Sequence, residues 1–203
     1  MRKGKQAPPS GRGHQFGDKP RNPAAGPGSP DPLTVALHKL ARRPYSIAEL
    51  RRALERQFPQ NEQVPAAIAR LRKLGYLDDR KFAEQYAYSL ARNRAFGPHR
   101  LRRELKAKLV NYQEIEPAVQ RVYQDTPAQS ILEQALAKKL RTLRLPLTRP
   151  RFHSLCQSLM RMGFNAGDII RAVRSRPELT PVAEELEPAD LEPLGEEPDS
   201  GRD

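Results

Sequence analysis

A single cysteine in 203 residues excludes an intramolecular disulfide framework and suits a reducing compartment. Cys156 stands beside Leu155 and Leu159, the surroundings of a small buried apolar residue rather than a reactive thiol. No apolar run approaches the ~20 residues needed to span a bilayer. The first basic residues are followed by no apolar stretch, so no secretory signal is expected, and a cytoplasmic location without membrane contact is the default. Strand formers never alternate with period two, and without strands the Gly-rich phosphate loops of nucleotide enzymes have no place. The four histidines, His14, His38, His99 and His153, lie far apart with no cysteine or histidine at metal-ligand spacing. Asp78-Asp79 is the one adjacent acid pair between residues 31 and 176, and a helix-cap role accounts for one of the two better than a catalytic or metal site does. No catalytic residue, metal or cofactor is expected: the chain reads as a binder, not an enzyme.

Positive charge is what the sequence has in excess. The net charge is +12, but its distribution is sharper than that. Residues 1–30 hold six basic residues against Asp18, for +5; residues 177–203 hold ten acids against Arg202, for −9; the segment between them therefore carries +16. Such a charge on a small folded segment costs self-repulsion unless a polyanion or acidic partner offsets it. Both ends are rich in Pro with too little apolar surface to offset ordering entropy, so each is expected to be a disordered tail, basic at the start and acidic at the end.

Between the tails the apolar period is helical. Leu33, Leu37 and Leu40 open it; Ser46-Ile47-Ala48-Glu49 forms a capping box in which Ser46 accepts the Glu49 N–H and Glu49 reaches back, with Leu50, Leu54 and Phe58 following. Asn61 precedes a third stripe of Val64, Ile68, Leu71 and Leu74, closed by Gly75. Asp78 or Asp79 caps a fourth helix with Phe82, Tyr86 and Leu90; Gly97-Pro98 opens a fifth with Leu101 and Leu105; Asn111 caps a sixth with Ile115, Val119 and Val122. Ile131, Ala135, Leu136 and Leu140 mark a seventh, Thr148 and Pro150 open an eighth with Phe152, Cys156 and Leu159, and Asn165 caps a ninth with Ile169, Ile170 and Val173. Ser46, Gly97 and Thr148 follow one another at a spacing of 51, and so do Leu50, Leu101 and Phe152. A helical unit recurring at that step predicts an all-α chain of three tandem three-helix repeats, 31–77, 78–125 and 126–176, stacked as an elongated, curved array.

The basic residues expected to meet a partner are Arg51 and Arg52 on the second helix, Arg92 and Arg94 at the end of the fourth, and Arg100, Arg102, Arg103, Lys106 and Lys108 on the fifth. The arginines near the start of the fifth helix lie where the helix dipole disfavours cations, so the bland explanation that covers Lys138, Lys139, Arg141 and Arg144 fails there. Aromatics are sparse and fall mostly at core positions, so stacking on single-stranded bases is not indicated.

Three strings carry a resemblance. Arg42-Arg43-Pro44-Tyr45-Ser46-Ile47-Ala48-Glu49-Leu50, Leu71-Arg72-Lys73-Leu74-Gly75-Tyr76-Leu77-Asp78-Asp79-Arg80-Lys81-Phe82-Ala83 and Gly97-Pro98-His99-Arg100-Leu101-Arg102-Arg103-Glu104-Leu105-Lys106-Ala107-Lys108 together resemble the RecX family over roughly residues 33–175. The family usually has Gly after the lysine matching Lys108; Leu109 stands there, and a different end to the fifth helix is expected from it. The resemblance implies a bacterial regulator, acting as a monomer by default, that lies in the groove of the RecA–DNA filament, limits its growth and suppresses strand exchange and ATP hydrolysis. It implies no catalytic residue, and it puts Arg100, Arg103 and Lys106 forward as contacts with Asp79 as a cap. The rival reading is a protein of helix-turn-helix-like units that binds DNA, single- or double-stranded and independent of sequence, without a recombinase target. A third, an RNA-processing accessory, fits the charge but lacks an RNA-module motif.

The tethering of −9 beside +16 generates the first prediction. The acidic tail competes with DNA for the basic segment, so deleting residues 177–203 is expected to tighten DNA binding in a titration at fixed salt. Equal or weaker binding of the truncated chain refutes the competition.

Overall fold

The computed structural model of the protein describes residues 31–144, 146–177 and 179. Apart from Pro177 and Leu179, the two expected tails lie outside the described residues. Among these residues every regular element is an α-helix. The first group is α1 (Pro32–Arg42), α2 (Ile47–Gln57) and α3 (Gln63–Lys73); the second is α4 (Asp79–Arg94), α5 (Pro98–Ala107) and α6 (Tyr112–Asp125); the third is α7 (Ala128–Leu140), α8 (Arg149–Arg161) and α9 (Ala166–Arg174). Within each group all three helices pack on one another.

Side-chain caps set four of the nine described helix starts. Ser46 Oγ accepts from the Glu49 N–H at 3.1 Å, Asp78 from Lys81 at 3.0 Å, Asn111 from Gln113 at 3.1 Å and Asn165 from Asp168 at 2.7 Å. Each satisfies an N–H that has no partner inside its helix. The capping box at Ser46 is only half made: the Glu49 carboxylate turns to Arg43 and Lys108 instead of reaching back. Leu50 and Leu54, Leu101 and Leu105, and Phe152 and Cys156 are fully buried at matching positions of α2, α5 and α8. Two expected core positions face solvent. Leu74 follows the last turn of α3, where Gly75 at φ +77° takes the chain away, and Ala36 occupies the buried position beside the exposed Leu37.

The groups are joined end to end through their second helices. The start of α2 meets the end of α5: the Ser46 hydroxyl donates to the Lys108 carbonyl, and the Ile47 N–H donates to Asp79 Oδ1 at 2.8 Å. The start of α5 meets the end of α8: the Gly97 N–H donates to the Met162 carbonyl at 2.7 Å and the His99 N–H to the Gly163 carbonyl at 3.1 Å. In both joints the positive end of one helix faces the negative end of the next; at the second, backbone N–H groups meet carbonyls directly, and at the first, the Ser46 and Asp79 side chains satisfy the carbonyl and the N–H. Ser46 is fully buried and uses its hydroxyl twice, as cap and as joint. Gly97 stands at the corresponding position, where a Cβ would collide with the backbone of Gly163 and Phe164.

The two joints differ in what surrounds them. Apolar packing is continuous from Phe82 in α4 through Val173 in α9 to Leu179, whereas Ala36, Leu50, Leu54, Val64, Ile68, Leu71 and Leu77 form a separate core for the first group. The second joint is thus backbone contact over a shared core, and the first is a polar contact between two cores.

Leu109 corrects the expectation of a different helix end. It sits at φ +55°, in the same left-handed region as Gly163 at φ +95° after α8, so the turn keeps its shape and only its residue is unusual. A non-Gly residue there costs roughly 1–2 kcal/mol, less the 0.5–1 kcal/mol that a glycine loses in conformational entropy. Leu109→Gly is therefore expected to raise stability by up to about 1 kcal/mol, and Gly97→Ala to lower it by more, both read from denaturant midpoints. A more stable Gly97→Ala variant contradicts the close approach at the second joint.

Candidate nucleic-acid interface

The nine cations singled out by the sequence divide by what they touch. Arg102 is committed to Glu116, with Nε at 2.6 Å and Nη2 at 3.1 Å from its two oxygens, and so braces α5 against α6. Lys108 reaches across the first joint to Glu49 at 3.3 Å and lies 5.8 Å from the Tyr86 ring centroid. Arg100 bonds Glu104 one turn on at 2.8 Å and lies 5.3 Å from the Phe96 ring centroid. Arg51, Arg52, Arg92, Arg94, Arg103 and Lys106 are exposed and have no ion pair among the described residues.

Arg100, Arg103 and Lys106 recur every three residues and so share one face of α5, opposite the buried Leu101 and Leu105. Where this face meets α8, the second joint opens a cleft of about 280 Å³ lined by His99, Arg100, Arg103, Gln157, Arg161 and Asn165, over Met160, Gly163 and Phe164. None of these lining residues is acidic. The helix start beside the cleft offers no anion site, because the N–H groups of Gly97 and His99 already donate to Met162 and Gly163. Anion binding there rests on side chains: arginine forks match phosphate oxygens two at a time, and the amides of Gln157 and Asn165 add neutral polar groups.

Arg92 lines a different cleft, of about 360 Å³, with Tyr88, Ala95, Thr126, Ile131 and Gln134, so the nine cations form no single patch. Sequence reasoning missed Arg161 and Gln157. Arg161 lies in the last turn of α8, where the dipole alone explains a cation, and only the end-to-end joint brings it beside Arg103. Most of the described aromatics lie at or against the cores, as expected; Tyr76, Tyr88 and Tyr112 are the exceptions and stand exposed.

The remaining chemistry-bearing groups have structural roles. Burial pushes the Cys156 thiol up to about 11, which leaves it protonated and unreactive at neutral pH. Burial likewise raises the Tyr123 hydroxyl, which donates to the Phe96 carbonyl at 2.7 Å. Of the acid pair, Asp78 caps α4 while Asp79 bonds the Ile47 and Asn111 N–H groups. Among the described residues no cluster of His, Cys, Asp and Glu could hold a metal ion, and no helix is long and apolar enough to cross a membrane.

Comparison with known proteins identifies the chain's relatives. Residues 78–119 match the family described as RecX, second three-helix domain. A regulatory protein RecX from Thermobifida fusca is 31% identical over 166 residues, which are 77% of this chain and 86% of that one. Another from Streptomyces coelicolor is 27% identical over 181 residues, 89% of each chain. A regulatory protein RecX from Oceanobacillus iheyensis is 28% identical over 141 residues, 70% of this chain but 52% of its own, so the chain spans about half the length of that relative. The crystal structure of RecX from Lactobacillus salivarius aligns over 71% of this chain and 93% of that one at a TM-score of 0.57 and 22% identity, and so shows the same fold.

The carboxylates of the two ion pairs around α5 generate a pH prediction. Burial acts to raise Glu49, but bonds from Arg43 and Lys108 outweigh it and hold the group below the usual carboxylate value. The bond from Arg102 holds Glu116 below it too. A depressed carboxylate stabilises the fold above its unfolded value of about 4.3, and that contribution disappears as the pH falls through the folded value. Denaturant midpoints are expected to fall with acid below about pH 5, with a shallower fall for Glu49→Gln than for the unmodified chain. Parallel acid limbs count against the Glu49 contacts as the cause.

Proposed function

The chain belongs to the RecX family of regulatory proteins, and on that premise we propose that it binds the filament formed by the recombinase RecA on DNA and restrains its activity. The observation that carries the nucleic-acid half of this reading is the cleft at the second joint, where Arg100, Arg103 and Arg161 converge with no acid among the lining residues. Phosphate contacts of this kind hold DNA without reading its sequence. The basic helices have few Asn or Gln side chains to read base edges, in keeping with such binding. Restraint of RecA comes from the family relationship, and residues of the second and third groups supply the DNA contact. The protein acts by occupying a surface, in the cytoplasm and as a monomer, with no reaction of its own.

Two measurements test this. RecA ATPase on single-stranded DNA is expected to fall as the protein is added in amounts well below RecA; undiminished hydrolysis rejects filament restraint and leaves the rival reading, a DNA-binding protein without a recombinase target. Replacing Arg103, Lys106 and Arg161 with Ala is expected to weaken DNA binding and to flatten the slope of log affinity against log salt by about 0.7 to 0.9 for each phosphate no longer neutralised. An unchanged slope removes the cleft from the DNA surface.

A further inference from the structure

Half of the +16 carried between residues 31 and 176 belongs to the third group, where residues 126–176 hold ten basic side chains against Glu133 and Asp168. Asp168 is bonded to Arg171 at 3.2 Å, and Glu133 accepts the Gln129 amide one turn before it. The basic cleft at the second joint engages only Arg161 of the ten. Another cleft, of about 270 Å³, opens between α7 and α8, lined by Lys139, Arg151, Thr142, Ser154 and Ser158 over Leu155, and no residue lining it is acidic.

Neither cation of this cleft is accounted for by its place in its helix. Lys139 lies in the last turn of α7, where the dipole favours a cation, but its ammonium reaches across to α8 and donates to Ser158 Oγ at 2.7 Å. It is half-buried and has no ion pair among the described residues. Taking water from a charge without supplying a counter-charge costs free energy, which an anion in the cleft recovers. Arg151 stands in the first turn of α8, where the dipole opposes a cation, and it too is exposed and without an ion pair among the described residues. Ser158 accepts from Lys139, so its own proton is left to donate, and the Ser154 hydroxyl is exposed one turn away. Two cations and two hydroxyl donors without an acid match the oxygens of a phosphate group.

The two basic clefts lie side by side along α8. Ser154 and Gln157 are three residues apart, as are Ser158 and Arg161; the first of each pair lines the new cleft and the second lines the cleft at the second joint. From Arg151 to Arg161 the helix rises about 15 Å, roughly the axial length of four base pairs. We propose that the cleft between α7 and α8 is a second phosphate site, which takes the backbone of the same nucleic-acid strand that crosses the second joint, with Lys139 and Arg151 as its cations and Ser154 and Ser158 as its neutral donors. This rests on the nucleic-acid reading above and extends that surface from α5 along the length of α8.

The test measures binding of a DNA duplex over a range of salt. Lys139→Gln with Arg151→Gln is expected to flatten the slope of log affinity against log salt by about 0.9 for each phosphate no longer neutralised, in addition to the change made by the variant at the second joint. Ser154 is exposed, so replacing it leaves the core intact. Ser154→Glu is expected to weaken duplex binding at least about fivefold, and Ser154→Ala by less than about twofold. Isothermal titration with inorganic phosphate at constant ionic strength is expected to show no saturable binding, because a single ion meets only one end of the surface. Saturable phosphate binding that Ser154→Glu abolishes overturns the shared strand and makes the cleft a site for a free phosphate compound. An unchanged salt slope, or a Glu variant that binds as tightly as the Ala one, overturns the proposal and leaves these cations to an acidic protein; if the second-joint variant still flattens the slope, the nucleic-acid reading stands without this site. If the duplex does not bind the unmodified chain, that reading fails and this site fails with it.

Discussion

A helix leaves its first N–H groups and its last carbonyls without partners inside itself, and in this protein the second helix of one group supplies what the second helix of the next lacks. The end of α5 receives Ser46 from α2, and the end of α8 receives Gly97 and His99 from the start of α5. Each contact also sets opposite helix dipoles against each other. The three helix groups are in this way held in a fixed order. The spacing of 51 between Ser46, Gly97 and Thr148 is the trace of this contact in the sequence, since each starts the helix that carries the joint.

The joints also decide which cations are available. Arg102 and Lys108 fasten α5 to α6 and α2, and their charge is matched by Glu116 and Glu49. Arg103 and Lys106 on the same helix are exposed and make no ion pair among the described residues. One basic helix therefore does two kinds of work, and neither charge count nor helix position distinguishes them. The distinguishing fact is where the neighbouring carboxylates lie, and those are 14 and 59 residues away along the chain.

That distance explains what the sequence revealed and what it hid. Local rules sufficed for the helices: the caps at Ser46, Asp78, Asn111 and Asn165 and the buried stripes on α2, α5 and α8 lie where residue type and period place them. The all-helical fold and its threefold grouping followed. Arg161 beside Arg103, the second role of Asp79 and the exposure of Tyr112 depend on how separate groups meet, and no period within a helix encodes that. Leu109 shows the reverse case: its type argued for a different turn, and the demands of the chain around it kept the left-handed one.

The contrast between a shared core on one side of the second group and a polar contact on the other bears on how the molecule comes apart. Stacked repeats lose structure in blocks whose size is set by the interfaces between neighbours. With continuous apolar packing from Phe82 to Leu179, the second and third groups are expected to melt as one cooperative block. The first group, with its own core and a joint built on Ser46, Glu49 and Asp79, is expected to form a smaller block that opens first. Hydrogen exchange would register this as two classes of protected amide, with the boundary near Leu77.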